Sequence, residues 1–163
     1  MEFLDLYSQL GEVAKRVLKP SKWLIAYCNV KFIPEATALL SQHLTYWWMM
    51  CLTYKGMVKM KYSTFNSFRP VLLYHKSPPK LPKLLNDHIE CDNREKDLHD
   101  WKQAEDGMKY LIERFSYVND LVLDPMAGAG TALKVCKDLR RKCIAIDRDK
   151  ECVGIMKGRI KLQ

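Results

Sequence analysis

A chain of 163 residues, 48% of them apolar, has the size of one domain and enough apolar side chains for a real core. It contains no apolar run long enough to span a bilayer, and its acidic, mixed start (Met1-Glu2-Phe3-Leu4-Asp5-Leu6) is not that of a secretory signal. The net charge of +8 favours acidic partners, and six cysteines without a Cys-x-x-Cys pair argue against zinc and fit a reducing, cytoplasmic compartment.

In chain order, Phe3, Leu6, Leu10, Val13 and Val17 recur at helical spacing, which predicts an amphipathic helix over 2–18 with these residues on one face. Lys19-Pro20 stops it. The run 22–28 is strand-like, Pro34 opens a helix from about 35 to 43, and the aromatic-rich run 45–54 predicts a long strand. Polar and basic residues from 55 to 68 predict a loop. Residues 69–75 predict a short strand with Pro70 near its start, where proline is tolerated. Residues 76–98, with Pro78, Pro79 and Pro82, predict a long structureless stretch. Helices follow at 105–115, 131–139 and 149–160, with strands at 121–124 and 142–147 between them.

No acidic residue lies between Glu35 and Asp87, whereas Lys55, Lys59, Lys61, Arg69, Lys76, Lys80 and Lys83 all do. Tyr54, Tyr62, Phe65, Phe68 and Tyr74 are interleaved with them. A one-sign zone attracts phosphates and its aromatics can stack on bases, so these seven cations are candidate nucleic-acid contacts. The plainer alternative is a solvated basic face with its aromatics in the core.

The stretch Leu121-Val122-Leu123-Asp124-Pro125-Met126-Ala127-Gly128-Ala129-Gly130-Thr131 reads as a buried strand, a glycine turn and the start of a helix. That order places backbone N–H groups at the mouth of an α/β sheet. The next strand ends in Asp147, an acid well placed to accept both hydroxyls of a ribose. A dinucleotide fingerprint wants a third glycine where Leu133 stands, so a nucleoside without a pyrophosphate fits better. No Gly-Lys-Ser/Thr follows, which excludes a P-loop.

Asp124-Pro-Met-Ala-Gly-Ala-Gly-Thr131 resembles the Asp-Pro-Phe-x-Gly-Ser-Gly-Thr motif of the amino-group DNA methyltransferases, which make N6-methyladenine or N4-methylcytosine. Arg141 to Asp149 is similar to that family's second strand, and Met156-Lys-Gly-Arg-Ile160 to its closing helix. Met126, Ala129 and Asp147 replace the usual Phe, Ser and frequent Glu. Arg16-Val-Leu-Lys-Pro20, Arg69 to Tyr74 and His99-Asp-Trp-Lys-Gln103 resemble other family segments, in the order that places the catalytic half before the cofactor half.

The resemblance implies a Rossmann-like α/β fold, a mostly parallel sheet flanked by helices. It implies S-adenosylmethionine as cofactor, bound by Asp124, Pro125, Met126, Ala127, Gly128, Ala129, Gly130, Thr131, Asp147 and Arg148, and DNA as substrate. His99 and Trp101 become candidates for packing beside the cofactor. One domain is expected: 1–75 on the target side, 76–98 a variable loop and 99–163 the cofactor half.

The family's catalytic Asp/Asn/Ser-Pro-Pro-aromatic tetrapeptide does not occur. Ser77-Pro78-Pro79-Lys80 has lysine where the stacking aromatic belongs and follows the wrong strand. No catalytic residue is assigned. The expectation is a methyltransferase fold incomplete at its N-terminus, truncated or split, whose missing motif comes from a complementing polypeptide. A non-catalytic nucleic-acid-binding subunit that kept the fold is the alternative, and RNA is an alternative substrate.

Overall fold

The computed structural model describes residues 4–55, 59–61, 64–78, 84–92 and 104–161. The chain forms two compact units: residues 1–53, 57–81 and 86–89, and residues 54–56, 82–85 and 90–163.

The first unit carries helices α1 (Asp5–Val17) and α2 (Ile33–Ser41) and strands β1 (Trp23–Tyr27), β2 (Thr45–Tyr54), β3 (Lys59–Lys61), β4 (Thr64–Asn66), β5 (Phe68–His75) and β6 (His88–Cys91). Its main sheet has the order β1-β5-β2-β6. β5 pairs antiparallel with both neighbours, Leu73 lying opposite Ile25 on one side and Trp48 on the other, so β1 and β2 run parallel to each other. Both pairings of β5 are antiparallel, in a sheet expected to be mostly parallel. Among the described residues no crossover helix separates β2 from β5, and a strand returning without one lies antiparallel to its predecessor. Flanked on both sides, β5 is buried from Pro70 to His75.

Two expectations of irregular backbone are overturned. The segment 55–68 contains a hairpin, β3 pairing with β4 from Lys59↔Asn66 to Lys61↔Thr64. Its basic composition hides a period-two pattern, Val58, Met60 and Tyr62 alternating with lysines. The proline-rich and charged stretch 76–98 contributes β6, whose approach is fixed by a bond of 2.7 Å from Cys51 N–H to Asp87 O.

The buried stripe of α1 also differs from the expected one. Tyr7, Gly11 and Ala14 face the core, while Leu6, Val13 and Val17 are exposed. Small residues at Gly11 and Ala14 let α1 come close: a Cβ built on Gly11 would sit 2.8 Å from the His43 ring. The Tyr7 hydroxyl donates to Tyr27 O at 2.9 Å. The core beneath joins Ala26, Cys28, Ala36, Leu40, Leu44, Leu72 and Tyr74, the last donating its hydroxyl to Thr37 O at 3.2 Å.

The second unit is a βαβ arrangement. Strands β7 (Leu121–Asp124) and β8 (Lys142–Ala145) pair in parallel, Leu121↔Lys142 through Asp124↔Ala145, and α4 (Thr131–Asp138) connects them. Helix α3 (Glu105–Phe115) precedes β7 and α5 (Lys150–Lys161) follows β8. Ile112, Ala132, Val135 and Cys136 form the core, with Met108, Val122, Leu139 and Cys143 packed against it. Arg141 holds the approach to this ribbon, donating to Ser116 Oγ, Ser116 O and Leu139 O at 3.1, 2.9 and 2.6 Å.

Leu72 is fully buried in β5 at the centre of the first unit's core. Leu72→Ala should lower the unfolding free energy by about 2–5 kcal/mol through lost transfer energy and the cavity left behind. Equilibrium denaturation should show a lower midpoint with an unchanged slope.

Candidate functional site

The site is built where β7 and β8 end side by side. Ile146 N–H donates to Asp124 O and Ala127 N–H to Ile146 O, both at 2.9 Å, so the ladder continues past the strands into the loop. Gly128 and Gly130 take φ of 51° and 78°, the left-handed region that disfavours other residues. Gly130 is also the N-cap of α4. Lacking a side chain, it cannot cap the first-turn N–H groups, which helix geometry leaves without intrahelical partners. A Cβ built at Gly128 would meet nothing within 4 Å, so the space over the loop is open there.

Asp147 bridges the two strand ends. Its Oδ2 accepts from Gly128 N–H at 2.7 Å and its Oδ1 from Asp149 N–H at 2.9 Å. A carboxylate has about four lone-pair sites, so Asp147 keeps capacity for a further donor. The Asp149 N–H does most to hold this carboxyl below its usual range; burial opposes it, and the N–H groups of Gly128 and Arg148 reinforce it. Asp124 goes the other way. Burial pushes it up and the nearby Asp147 charge adds to this, against a bond from Met126 N–H. The strand ends thus hold one carboxylate secured in its charged form and one whose charge is disfavoured.

Three residues outside the predicted cofactor set hold the loop: Met156 and Arg159, from the segment that resembles the family's closing helix, and Glu105. Met156 on α5 packs under Gly130, where a Cβ would lie 2.7 Å from Met156 Cγ. Arg159, one turn further, donates to Ala129 O at 3.1 Å and reaches Glu105 at 3.3 Å. Glu105 also pairs with Lys134 of α4 at 2.8 Å. The resemblance of residues 156–160 to the closing helix, and the i, i+3 spacing that puts Met156 and Arg159 on one helix face, were the signals for it.

Lys55 pairs with Asp92 at 2.9 Å, the Arg69 guanidinium lies 6.0 Å from the Tyr27 ring centroid, and Lys76 donates to Leu18 O at 3.0 Å. Lys59 and Lys61 lie in β3. Lys80, Lys83, His99 and Trp101 fall outside the described residues. Ser77 accepts from Ser21 N–H at 2.9 Å, which makes it a connector of local backbone. Among the described residues no His, Cys, Asp and Glu cluster could hold a metal.

Two outcomes are expected. A carboxyl that titrates lower folded than unfolded contributes stability that is complete above the unfolded value of about 4 and is lost as pH falls through the folded value. Asp147→Asn should therefore be less stable than the parent at neutral pH and converge with it in acid, read by denaturation over a pH series. Gly130→Ala should cost about 1–2 kcal/mol of backbone strain plus displacement of Met156, and Gly128→Ala the strain alone, read by thermal unfolding.

Residues 84–158 match the family model for N6/N4 DNA methylase. The type II methyltransferase M.HpaI of Haemophilus parainfluenzae is 25% identical over 98% of this chain, which spans only 60% of that protein. The solved M1.HpyAVI–SAM complex superposes with a TM-score of 0.82 at 20% identity, covering 98% of this chain and 82% of that one. PvuII DNA methyltransferase (cytosine-N4-specific) gives 0.80 at 16% identity, covering 97% and 70%. The glycine loop, the acid-tipped second strand and most of the closing helix lie inside the segment that matches the N6/N4 DNA methylase model.

Proposed function

We propose that this chain is the cofactor-binding part of an S-adenosylmethionine-dependent DNA methyltransferase acting on an exocyclic amine, adenine N6 or cytosine N4. The observation that carries this reading is the Asp147 carboxylate. It braces the loop through Gly128 and retains lone pairs at the tip of a parallel ribbon, where a ribose can donate two hydroxyls. The open space over Gly128 suits the rest of a nucleoside, and M1.HpyAVI, of like fold, was solved with SAM.

In this reading Asp124 to Thr131 cradle the cofactor, Asp147 orients its ribose, and Arg148 lies beside that carboxylate. When bound, the cofactor supplies an electrophilic sulfonium methyl. The loop's task is placement: holding the methyl in line between sulfur and incoming nitrogen, since misalignment by a fraction of a bond length is costly. Arg159, Met156 and Glu105 serve it by keeping the loop in one conformation.

The target side is assigned to residues 1–75, with 76–98 a variable loop and 99–163 the cofactor side. Lys55, Lys59, Lys61, Arg69, Lys76, Lys80 and Lys83 are the proposed phosphate contacts, and binding through them falls steeply as salt rises. The sequence contains no Asp/Asn/Ser-Pro-Pro followed by an aromatic residue, and the proposed carrier of the acceptor for the target amine is a complementing polypeptide. No helix among the described residues is long and apolar enough to cross a membrane, and the proposed compartment is the cytoplasm.

Titration calorimetry with S-adenosylmethionine tests the reading. The chain should bind it, and Asp147→Ala should weaken binding by about 10–100-fold, the worth of hydrogen bonds to a charged group. Absence of binding would overturn the proposal. Methyl transfer to DNA by the chain alone, followed with labelled cofactor, would overturn the need for a complementing polypeptide.

A further inference from the structure

Two of the six cysteines meet where α4 packs on the ribbon. Cys136 stands in the last turn of α4 and is fully buried among Ile112, Ala132 and Val135. Cys143, the second residue of β8, packs against this cluster beside Val122, its partner across the parallel ladder. The connection between the two is held along its length. Arg141 N–H donates to Cys136 O at 2.7 Å and Lys142 N–H to Asp120 O at 2.9 Å, while the Arg141 side chain is tied to Ser116 and Leu139. The two thiols, seven residues apart in sequence, are thereby brought into hydrogen-bond contact, Cys136 donating. The methyl-transfer reading uses neither sulfur.

We propose that Cys136 and Cys143 are a redox-active pair, oxidised by hydrogen peroxide to a reversible disulfide that pins α4 to β8. Cys143 is the half-buried member and reacts first. Its thiolate attacks one peroxide oxygen, the O–O bond breaks, a sulfenic acid forms, and the departing hydroxide takes up the proton that Cys143 gave away. The Cys136 sulfur then attacks the Cys143 sulfur. The S–S bond forms, the S–O bond breaks, and the Cys136 proton leaves with the hydroxide as water. Two thiols have lost two electrons and two protons, and the peroxide has become two waters. Complete burial of Cys136 suits the second step, because its target is already beside it and no oxidant has to reach it.

The environment separates the two roles. The bond from Cys136 holds the Cys143 thiol below its usual range, against burial and the Asp124 charge. The thiolate is the attacking form, so this favours Cys143 as the first sulfur to react. The same bond, with burial, pushes Cys136 up. Cys51 is an internal comparison: it is half-buried as well, but burial and the Asp87 charge push its thiol up. Gly130 caps α4 and Asp147 follows β8, so the disulfide joins the two elements that carry the loop and its carboxylate. In a reducing compartment such bonds are transient and serve as sensors.

The test treats the 163-residue chain with hydrogen peroxide, blocks the remaining thiols with an alkylating agent in denaturant, and maps the tryptic peptides. Two of the six thiols should be lost, and residues 135–137 should be found joined to 143–148 until dithiothreitol separates them. The oxidised chain should melt roughly 5 °C above the reduced one, the effect of closing a short loop in the unfolded state. Cys136→Ala removes the second sulfur, so Cys143 should stop at the sulfenic acid and be trapped by dimedone. Cys143→Ser should leave Cys136 unoxidised and abolish the rise in melting temperature. Modification of Cys51 ahead of Cys143, a disulfide to any other cysteine or between two chains, or a melting temperature unmoved by the 136–143 bond would each overturn the proposal. Mapping of the parent chain decides the linkage even if a variant fails to fold. No readout involves S-adenosylmethionine, so the result stands or falls apart from the functional reading.

Discussion

A carboxylate at the tip of one strand fixes the loop at the tip of its neighbour. The Asp147–Gly128 bond is where the βαβ geometry becomes a site. Without it two left-handed glycines would leave the loop many conformations; with it their freedom is spent on a single turn. The Asp149 N–H does most to favour this carboxylate's charged form and the Gly128 bond adds to it, the backbone N–H groups together outweighing partial burial. Asp124 has fewer such donors and a like charge nearby, and its carboxyl goes the other way. Two acids at adjacent strand ends are thus made unequal, Asp124 by its burial and Asp147 by the backbone N–H groups around it.

The loop is supported from below by groups far off in sequence. Arg159 stands 30 residues from the Ala129 carbonyl that it holds and 54 from Glu105. Through Glu105 and Lys134 it links α3, α4 and α5 under one loop. Arg159 is largely sheltered from solvent, so its bonds are less exposed to screening than surface pairs such as Lys55–Asp92. Because the loop's shape depends on where α5 ends its first turns, that helix takes part in the site and is more than a cover.

What was legible in the sequence was whatever the backbone itself demands. Asp124-Pro125 ending a strand, glycines at 128 and 130, and an acid at 147 are requirements of local geometry, and those residues meet where expected. The strand 45–54 and the helix 105–115 were readable to the residue, because their periodicity is strong and their ends are marked. The face of α1 was misjudged for a physical reason: an apolar pattern favours Leu6, Val13 and Val17, whereas closest approach is governed by the small Gly11 and Ala14. The β3–β4 hairpin and β6 were hidden because their side chains are polar and their pairing is set by neighbouring strands. The clamp at Arg159 could not be read, since nothing local distinguishes a helix arginine that meets a distant carbonyl from one that meets water.

The open-edged ribbon has a consequence for the handling of the protein. Among the described residues β7 and β8 pair only with each other in their sheet, and Leu121, Leu123, Ile144 and Ile146 are exposed; an apolar sheet face with open strand edges is a template for aggregation. The net charge of +8 is the main opposing force, because like-charged molecules must overcome mutual repulsion before two ribbons can meet. That repulsion has the range of the Debye length, about 10 Å at 0.1 M salt, and shrinks as ionic strength rises. Colloidal stability of the isolated chain is therefore greatest in dilute buffer, the reverse of the usual practice of adding salt to keep a basic protein in solution.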